Sequence, residues 1–233
     1  IAGLVVRKQG KIYKILAHRI LEHESRVMYD GQIHDIEAVA KSVGTIKAEL
    51  EKKLDKKLEK AAVAAAGRAL YTVEAETERK TSPFTEVLEE DIRSLEAEAL
   101  SKAIKSLTDK NKRVDFDNKY YCVGFSPIKW FLQDESLDNL LGQKGSSISV
   151  KIVATFLPRT VVESLLTVLN RCDLGLESLT LEPIAAGDVV VLPGMRKLNI
   201  ALVDIGAGTS DIAISRDGSI FAYGMVPKAG EEN

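Results

Sequence analysis

Residues 201–213 read ALVDIGAGTSDIA and determine how the rest of the chain is interpreted. An apolar strand ends at Asp204, the chain turns through small residues, and a second strand begins after a hydroxyl residue. Small residues let a backbone come close to an anion, and successive amides in such a turn can point at phosphate oxygens. Asp204 would face the same space and hold a magnesium ion through water, because magnesium prefers oxygen ligands and keeps several waters. The pattern predicts a phosphate-binding hairpin, and phosphoryl transfer needs little more than such positioning and charge neutralisation.

The alternative interpretation is an ordinary hairpin with a glycine-rich loop and a solvated aspartate. Two glycines alone would not separate the two interpretations, since glycine-rich loops are common. Phosphate binding is favoured because an apolar strand, an aspartate, two glycines, a threonine and a second aspartate occur in one register. The positions predicted to bind phosphate are Asp204, Gly206, Ala207, Gly208, Thr209 and Asp211.

The segments around this stretch predict alternating strands and helices. Apolar residues at spacings of three and four predict a long helix that Asp35 caps and that reaches Leu54. Shorter helices are predicted from Val161 to near Asp173, and from Glu182 to near Val191. Strands are predicted at 1–6, 11–20, 61–66, 174–181, 198–204, 210–216 and 220–226, and the run 61–66 is apolar enough to suggest a buried strand.

The middle of the chain has a different pattern. Residues 71–80 alternate like an edge strand, and residues 89–107 place apolar side chains on one helical face. Two further strands are predicted, at 119–132 with an interruption at Ser126-Pro127, and at 148–156. This order of strand, helix, strand and strand suits a small subdomain inserted into a larger one.

Composition and charge exclude several classes of protein. Of the 233 residues, 45% are hydrophobic and 28% are charged, as in an ordinary globular protein. The 32 Lys and Arg residues nearly balance the 34 Asp and Glu residues, which argues against nucleic-acid binding. The two cysteines, Cys122 and Cys172, have no metal-site spacing, which fits a reducing cytoplasm, and no apolar run reaches the roughly 18 residues that span a bilayer. The three histidines, His18, His23 and His34, do not share a ligand spacing either.

The hairpin string resembles the second phosphate motif of the actin, DnaK-type chaperone and FtsA superfamily, in which such a hairpin holds the terminal phosphates of ATP. Residues 182–186, EPIAA, resemble the connecting segment just upstream of that motif. The resemblance implies that Glu182 orders magnesium-bound water or the attacking water, which makes it the catalytic candidate. Its alternative role is that of a carboxylate at a helix start, where it interacts with the helix dipole. The resemblance also implies an α/β actin-like ATPase (ribonuclease H-like) fold with an inserted strand-helix-strand-strand subdomain.

Further matches favour the FtsA branch of this superfamily. Residues 30–37, DGQIHDIE, are similar to the segment that leads into the first long helix of FtsA proteins. Leu141-Gly142, Gly145 and the strand 148–153 are similar to the end of their inserted subdomain, 1C, which actin carries elsewhere and DnaK-type chaperones lack. The resemblance implies subdomain 1A in residues 1–70 and 155–196, an SHS2-like subdomain 1C in 71–154, and the start of subdomain 2A in 197–233.

The resemblance implies a protein of cell division. It implies ATP and magnesium as cofactors, weak ATPase activity in the whole protein, and self-association or contact with other division proteins through 1C, without nucleic acid. It further implies a cytoplasmic protein that polymerises or scaffolds at the inner face of the cell membrane. The first phosphate loop would lie before Ile1, and the adenosine-binding region and a membrane helix would lie beyond Asn233. We therefore expect an excised piece that binds nucleotide poorly and is inactive by itself, because one hairpin contacts only part of the ligand. Ala207 stands where relatives often have glycine, a change that is tolerated if its φ is negative.

Other functions stay open on the same resemblance. A chaperone-like reactivating factor or a pilus-assembly scaffold of PilM type would use the inserted subdomain for partner contact, and a scaffold without hydrolysis is a third possibility. The aromatic residues of the subdomain favour core packing over an exposed recognition patch, because aromatics in strands usually fill cores. These residues are Tyr120, Tyr121, Trp130 and Phe131.

Overall fold

The computed structural model divides the chain into two compact units. Unit 1 comprises Ile1–Ala66 and Thr160–Thr180, and unit 2 comprises Gly67–Arg159 and Leu181–Asn233. Among the residues that the structure describes, no helix is both long and apolar enough to cross a membrane. The described residues are 1–10, 12–23, 27–29, 32–66, 70–110, 119–195, 198–206, 208–216, 219–226, 228 and 230.

The strands and helices follow one another in the order that the sequence predicts, with three further short strands. In chain order, the described elements are β1 (Ala2–Gln9), β2 (Ile12–Ile20), β3 (Met28–Tyr29), β4 (Gln32–Ile33), α1 (Ile36–Leu54), β5 (Lys60–Ala65), β6 (Tyr71–Lys80), α2 (Glu89–Lys110), β7 (Tyr120–Leu132), β8 (Glu135–Leu137), β9 (Ser147–Pro158), α3 (Arg159–Arg171), β10 (Gly175–Leu181), α4 (Glu182–Val190), a short 3₁₀ helix (Pro193–Met195), β11 (Ile200–Ile205), β12 (Ser210–Arg216) and β13 (Ser219–Val226).

Helix α1 is the centre of unit 1 and begins where its cap was predicted. The Asp35 carboxylate accepts a hydrogen bond from the amide of Ala38 at 3.0 Å, and Asp55 ends the helix in the left-handed conformation, with a φ of 49°. The antiparallel β1–β2 hairpin packs on α1, where Ile46 lies so close to Gly3 that no side chain would fit there. A second buried cluster joins α1 to α3 through Val27, Val39, Ala40, Val168, Leu169, Cys172 and Leu174.

Strand β5 is not the buried strand that its apolar composition suggests. Its residues alternate between exposed and half-buried, and only Ala65 is buried. The reason is that one face of β5 packs on the cluster between α1 and α3 through Ala61 and Val63, whereas the other face is exposed. Residues 61–66 have small side chains, mostly alanine, that suit both a fully buried strand and a strand with one exposed face. The sequence pattern could therefore not distinguish these two environments.

An antiparallel sheet with the strand order β6-β9-β7-β8 forms one part of unit 2. Helix α2 covers one face of this sheet, because its apolar stripe packs on alternate residues of β9. Tyr120 and Trp130 pack against this cluster, whereas Tyr121 is exposed. The buried cluster consists of Val87, Leu95, Ala99, Ala103, Leu107, Leu140, Ile148, Val150, Ile152, Ala154 and Phe156.

Strand β7 runs through Ser126-Pro127 without the predicted interruption. The strand absorbs the proline because its register with β9 shifts between Cys122 and Gly124, and again between Pro127 and Lys129. Such bulges accommodate residues that cannot donate to the ladder. The prediction of a break at Ser126-Pro127 is therefore wrong, and β7 is one strand of 13 residues.

A second antiparallel sheet of unit 2 has the order β11-β12-β13 and carries α4. Its strands lie within two residues of the predicted bounds. The mixed α/β class is confirmed. The subdomain boundaries at 70, 154 and 196 stay a prediction.

We expect Asp35→Ala to lower the free energy of unfolding by about 1 kcal/mol, because the Ala38 amide would lose its acceptor. Urea denaturation followed by circular dichroism would measure this loss. Asp35→Asn keeps a side-chain oxygen at the cap and should lose much less. Equal losses in the two variants would show that the charge, and not the hydrogen bond, stabilises the helix start.

Candidate functional site

The predicted phosphate hairpin is formed by β11 and β12. The two strands pair in register, with Asp204 opposite Asp211 and Ile205 opposite Ser210. The turn between them is closed by the amide of Gly206, which donates to the carbonyl of Thr209 at 2.9 Å. The amide of Gly206 is thus used within the turn, so any anion must be held by amides further along the loop.

The turn itself favours glycine at position 206 but not at position 208. A Cβ on Gly206 would lie 3.2 Å from the carbonyl oxygen of Thr209, so the closure of the turn favours a residue without a side chain. A Cβ on Gly208 would meet nothing within 4 Å, and its φ lies outside the left-handed region. Nothing within the described chain therefore requires glycine at position 208, where the backbone is open to its surroundings.

The end of the chain returns to this turn, which the sequence did not predict. The Ser210 hydroxyl donates to the carbonyl of Lys228 at 2.7 Å, and the amide of Gly230 donates to the carbonyl of Gly206 at 3.2 Å. Residues 228 and 230 thus border the loop. The available signal was the small pair Ala229-Gly230, which follows the last strand.

Three carboxylates lie within electrostatic range of one another at the base of the turn. Glu182 is the first residue of α4, and Asp204 and Asp211 are the paired residues of β11 and β12. Burial of Glu182, followed by the charges of Asp211 and Asp204, raises its pKa from 4.5 to about 7. Asp211 is buried at 3% exposure, whereas Asp204 is exposed. The structure thus brings Glu182 together with both predicted aspartates.

The helix dipole does not explain the position of Glu182. A carboxylate at a helix N-terminus is stabilised in its charged form, typically by about 0.3 to 1 kcal/mol, which lowers its pKa. The pKa of Glu182 is instead raised, so burial and the neighbouring carboxylates outweigh the dipole. The alternative role of Glu182, a helix-start carboxylate that interacts with the dipole, stays a prediction beside the catalytic role.

The carboxylates suit a hydrated cation rather than a directly bound one. Within the described ranges, no group of three or more His, Cys, Asp or Glu side chains is close enough to hold a metal ion by itself. Magnesium commonly keeps several of its waters and is bound through one or two carboxylates and substrate phosphates. The exposed Asp204, next to the negative field that acts on Glu182, fits such a hydrated ion.

The remaining predicted residues lie around the same turn. Gly206 and Gly208 are exposed, and Thr209 is half-buried. Ala207 lies outside the described residues. The binding roles assigned to Asp204, Gly206, Ala207, Gly208, Thr209 and Asp211, and the catalytic role assigned to Glu182, stay predictions.

A cavity of about 240 Å³ lies elsewhere on the same face of the sheet. Its lining includes residues of β11 and β12 but none of the positions predicted to bind phosphate, so it is not the predicted phosphate site. Burial and the charge of Asp188 raise the pKa of Tyr223 in this part of the unit. No local pattern in the sequence predicts the cavity, because its lining comes from four separate elements. It is lined by Ser126, Pro183, Ile184, Gly187, Asp188, Val191, Ile200, Leu202, Ala213 and Ser215.

The chain is similar to curated cell division proteins named FtsA. It is 24% identical to FtsA of Escherichia coli K12 over 208 residues, which are 88% of this chain and 46% of the relative. It is 30% identical to FtsA of Pseudomonas aeruginosa over 106 residues, which are 43% of this chain and 25% of the relative. No protein-family model matches the chain.

The fold is also that of a solved structure. A chain of the PilM-PilN type IV pilus biogenesis complex superposes with a TM-score of 0.64, covering 99% of this chain and 60% of that one, at 14% identity. This likeness, with the hairpin and the FtsA similarity, identifies the fold predicted from the resemblance. The chain has the actin-like ATPase fold and is similar in sequence to FtsA proteins. This chain spans less than half the length of the FtsA proteins that it matches.

We expect Glu182→Gln to stabilise the protein at pH 8 but not at pH 4. At pH 4 the carboxyl group is largely protonated in both the folded and the unfolded chain. As the pH rises from 4.5 through 7, the unfolded chain releases this proton first, so the stability of the wild type falls. The full shift corresponds to at most about 3 kcal/mol, and screening by solvent reduces it to about 1 to 2 kcal/mol.

Urea denaturation at both pH values, in EDTA, would measure this difference. Glu135→Gln on β8 is the matched control, because Glu135 is exposed, and it should follow the wild type at both pH values. An equal effect of Glu182→Gln at the two pH values would contradict the raised pKa.

Proposed function

We propose that this chain is the phosphate-binding part of an FtsA-like scaffold that binds ATP with magnesium and acts in cell division. The observation that carries the proposal is the glycine hairpin of β11 and β12, whose base holds Asp204 and Asp211 beside Glu182. The similarity to FtsA proteins along 88% of the chain supports the cellular role.

The open position of Gly208 supports a ligand at the turn. A side chain there would clash with nothing in the described protein, and the backbone conformation does not demand glycine. Glycine is then explained by a molecule that approaches the backbone from outside. The amides beyond Gly206 would bind the terminal phosphates, because amides that converge in a turn form a site for anions.

The carboxylates would have separate roles toward this ligand. Magnesium, when bound, neutralises phosphate charge. Asp204 would hold the ion through water, since its carboxylate is exposed at the end of β11. Glu182 is half-buried and close to both aspartates, and it would orient a water molecule or hold a proton at its carboxylate. Asp211 is buried in β12, and its negative charge would act on both Asp204 and Glu182.

The cellular part of the proposal rests on the FtsA similarity. The four-stranded sheet with α2 would be the SHS2-like subdomain 1C, and it would contact other division proteins or other copies. The whole protein would act in the cytoplasm at the septum, peripheral to the membrane, and its membrane contact would come from a segment outside this chain. Hydrolysis would be weak, and the chain by itself would bind nucleotide poorly, because the hairpin contacts only part of the ligand.

A pilus-assembly scaffold is the second candidate, and one observation favours it. The superposition on the PilM-PilN complex covers 99% of this chain. Depletion of the gene product would separate the candidates, since a division protein is needed for septation and a pilus scaffold for surface pili. Normal septation with loss of pili would replace the first proposal by the second.

We expect Asp204→Ala to weaken the magnesium-dependent part of ATP binding at least tenfold, because the hydrated ion would lose its carboxylate partner. Calorimetric titration of the intact gene product with ATP, with and without magnesium, would measure this part. Asp204→Asn and Asp134→Asn form a matched pair of isosteric changes on unit 2. Only the first should reduce the magnesium dependence, and equal binding by both variants would count against the role of Asp204.

A further inference from the structure

The segment that follows β13 is attached to both sides of the turn between β11 and β12. The last residue of β13, Val226, pairs with Ser210 at the start of β12. Beyond this pair, the Ser210 hydroxyl donates to the carbonyl of Lys228 at 2.7 Å, and the amide of Gly230 donates to the carbonyl of Gly206 at 3.2 Å. Gly206 precedes the loop and Ser210 follows it, so the backbone of Lys228 is held at the turn.

Lys228 brings a positive charge to an end of the sheet that otherwise carries acids. The residue is exposed, and its ammonium forms no ion pair with another side chain of the described residues. Arg216 is the other basic residue described between positions 182 and 230, and it ends β12 about 20 Å from the turn, at about 3.4 Å per residue. Arg196 and Lys197 lie outside the described residues. In this described part of the chain, Lys228 is therefore the basic residue that lies at the turn.

An anionic ligand at this turn needs such a charge. Glu182, Asp204 and Asp211 lie at the base of the turn, where burial and then the charges of the two aspartates raise the pKa of Glu182. A phosphate group at the turn would experience repulsion from the same charges. A magnesium ion that keeps several waters contacts only some of the phosphate oxygens. The other oxygens need donors from the protein, and a lysine ammonium is a common donor to phosphate.

We propose that the ammonium of Lys228 binds the terminal phosphates of the nucleotide at this turn. The inference rests on the proposed function and adds to it a contact from outside the hairpin. A lysine carries three donors on a flexible stem, so its ammonium can reach phosphate oxygens that the loop amides leave free. The two backbone bonds fix where this stem begins, which reduces the entropic cost of the contact. Ser210 is then a positioning residue, because its hydroxyl holds the carbonyl of Lys228 and does not itself bind the ligand.

ATP binding to the intact gene product, measured by calorimetric titration, tests this contact. Lys228→Met removes the charge but keeps a long side chain and the backbone bonds, so it should weaken ATP binding about fivefold to tenfold. Lys228→Arg keeps a positive charge that phosphate accepts, and it should stay within about twofold of the wild type. Lys56→Met, at an exposed position of unit 1, is the matched control and should bind ATP like the wild type.

Two further titrations separate Lys228 from the magnesium site and from the nucleoside. The weakening in Lys228→Met should persist in EDTA, because the ammonium contacts phosphate directly, whereas the effect of Asp204→Ala requires magnesium. Tripolyphosphate has the phosphates without the nucleoside, so Lys228→Met should weaken its binding by the same factor as that of ATP.

Reductive methylation of lysine amines gives a readout on the unmodified protein. ATP should slow the methylation of Lys228, because bound phosphate covers the amine, and should leave the methylation of Lys56 unchanged. Mass spectrometry of the digested protein would measure both rates. Ser210→Ala should reduce the protection of Lys228, and Ser210→Thr, which keeps the hydroxyl, should restore it.

The outcomes for Lys228 and for the ATP site are distinguishable. Equal ATP binding by the wild type and Lys228→Met would overturn the contact and leave the proposed function in place. So would methylation of Lys228 at the same rate with and without ATP in a wild type that binds ATP. A wild type that binds no ATP would overturn both proposals. Circular dichroism spectra that match the wild type would show that the variants are folded.

Discussion

Repulsion among Glu182, Asp204 and Asp211 is the interaction on which the candidate site depends. Burial raises the pKa of Glu182 most, the like charges of Asp211 and then Asp204 raise it further, and the pKa reaches about 7. The protein can relieve this repulsion in two ways, by a proton on Glu182 or by a cation beside Asp204. Under the proposed function, a cation beside Asp204 would lower the affinity of Glu182 for its proton, and a proton on Glu182 would weaken the attraction for the cation. The protonation of the catalytic candidate would then be coupled to the arrival of magnesium, without any movement of the backbone.

Apolar packing holds the three carboxylates together. Side chains of a strand alternate between faces, so Ile200, Leu202 and Asp204 lie on one face of β11, and their partners in β12 are Ser215, Ala213 and Asp211. Helix α4 covers the apolar part of this face, with Pro183 buried and Gly187 close to Leu202. The same packing places Glu182, the first residue of α4, over the charged end. Burial of the aliphatic side chains, at about 25 cal/mol per Å² of apolar surface, thus opposes the repulsion between the acids.

The sequence predicted the regular elements well because each carries a local signal. Helix α1 has its cap at Asp35 and an apolar stripe, and β11, β12 and β13 have apolar runs separated by turn residues. Strand β8 was missed, because its turn uses Gln133 and Asp134 with φ of 49° and 71° where such turns usually contain glycine. Other features depend on contacts between distant segments. Lys228 and Gly230 approach the hairpin, and the charge of Asp188 helps to raise the pKa of Tyr223. Local patterns carry no record of such contacts, whereas the clustering of Glu182 with Asp204 was available from the family resemblance.

A shared fold does not decide between cell division and pilus assembly, because function depends on sites placed on the fold. The hairpin residues lie on paired strands, where a change in one position disturbs its neighbours. Exposed side chains on turns and strand ends, such as Phe84 and Ile12 at 87% and 72% exposure, lie outside this constraint. Substitutions there leave the core and the carboxylates unaffected. Proteins with one nucleotide-binding scaffold can therefore acquire different partners through such surfaces, and the residues that distinguish a division scaffold from a pilus scaffold should be sought on them.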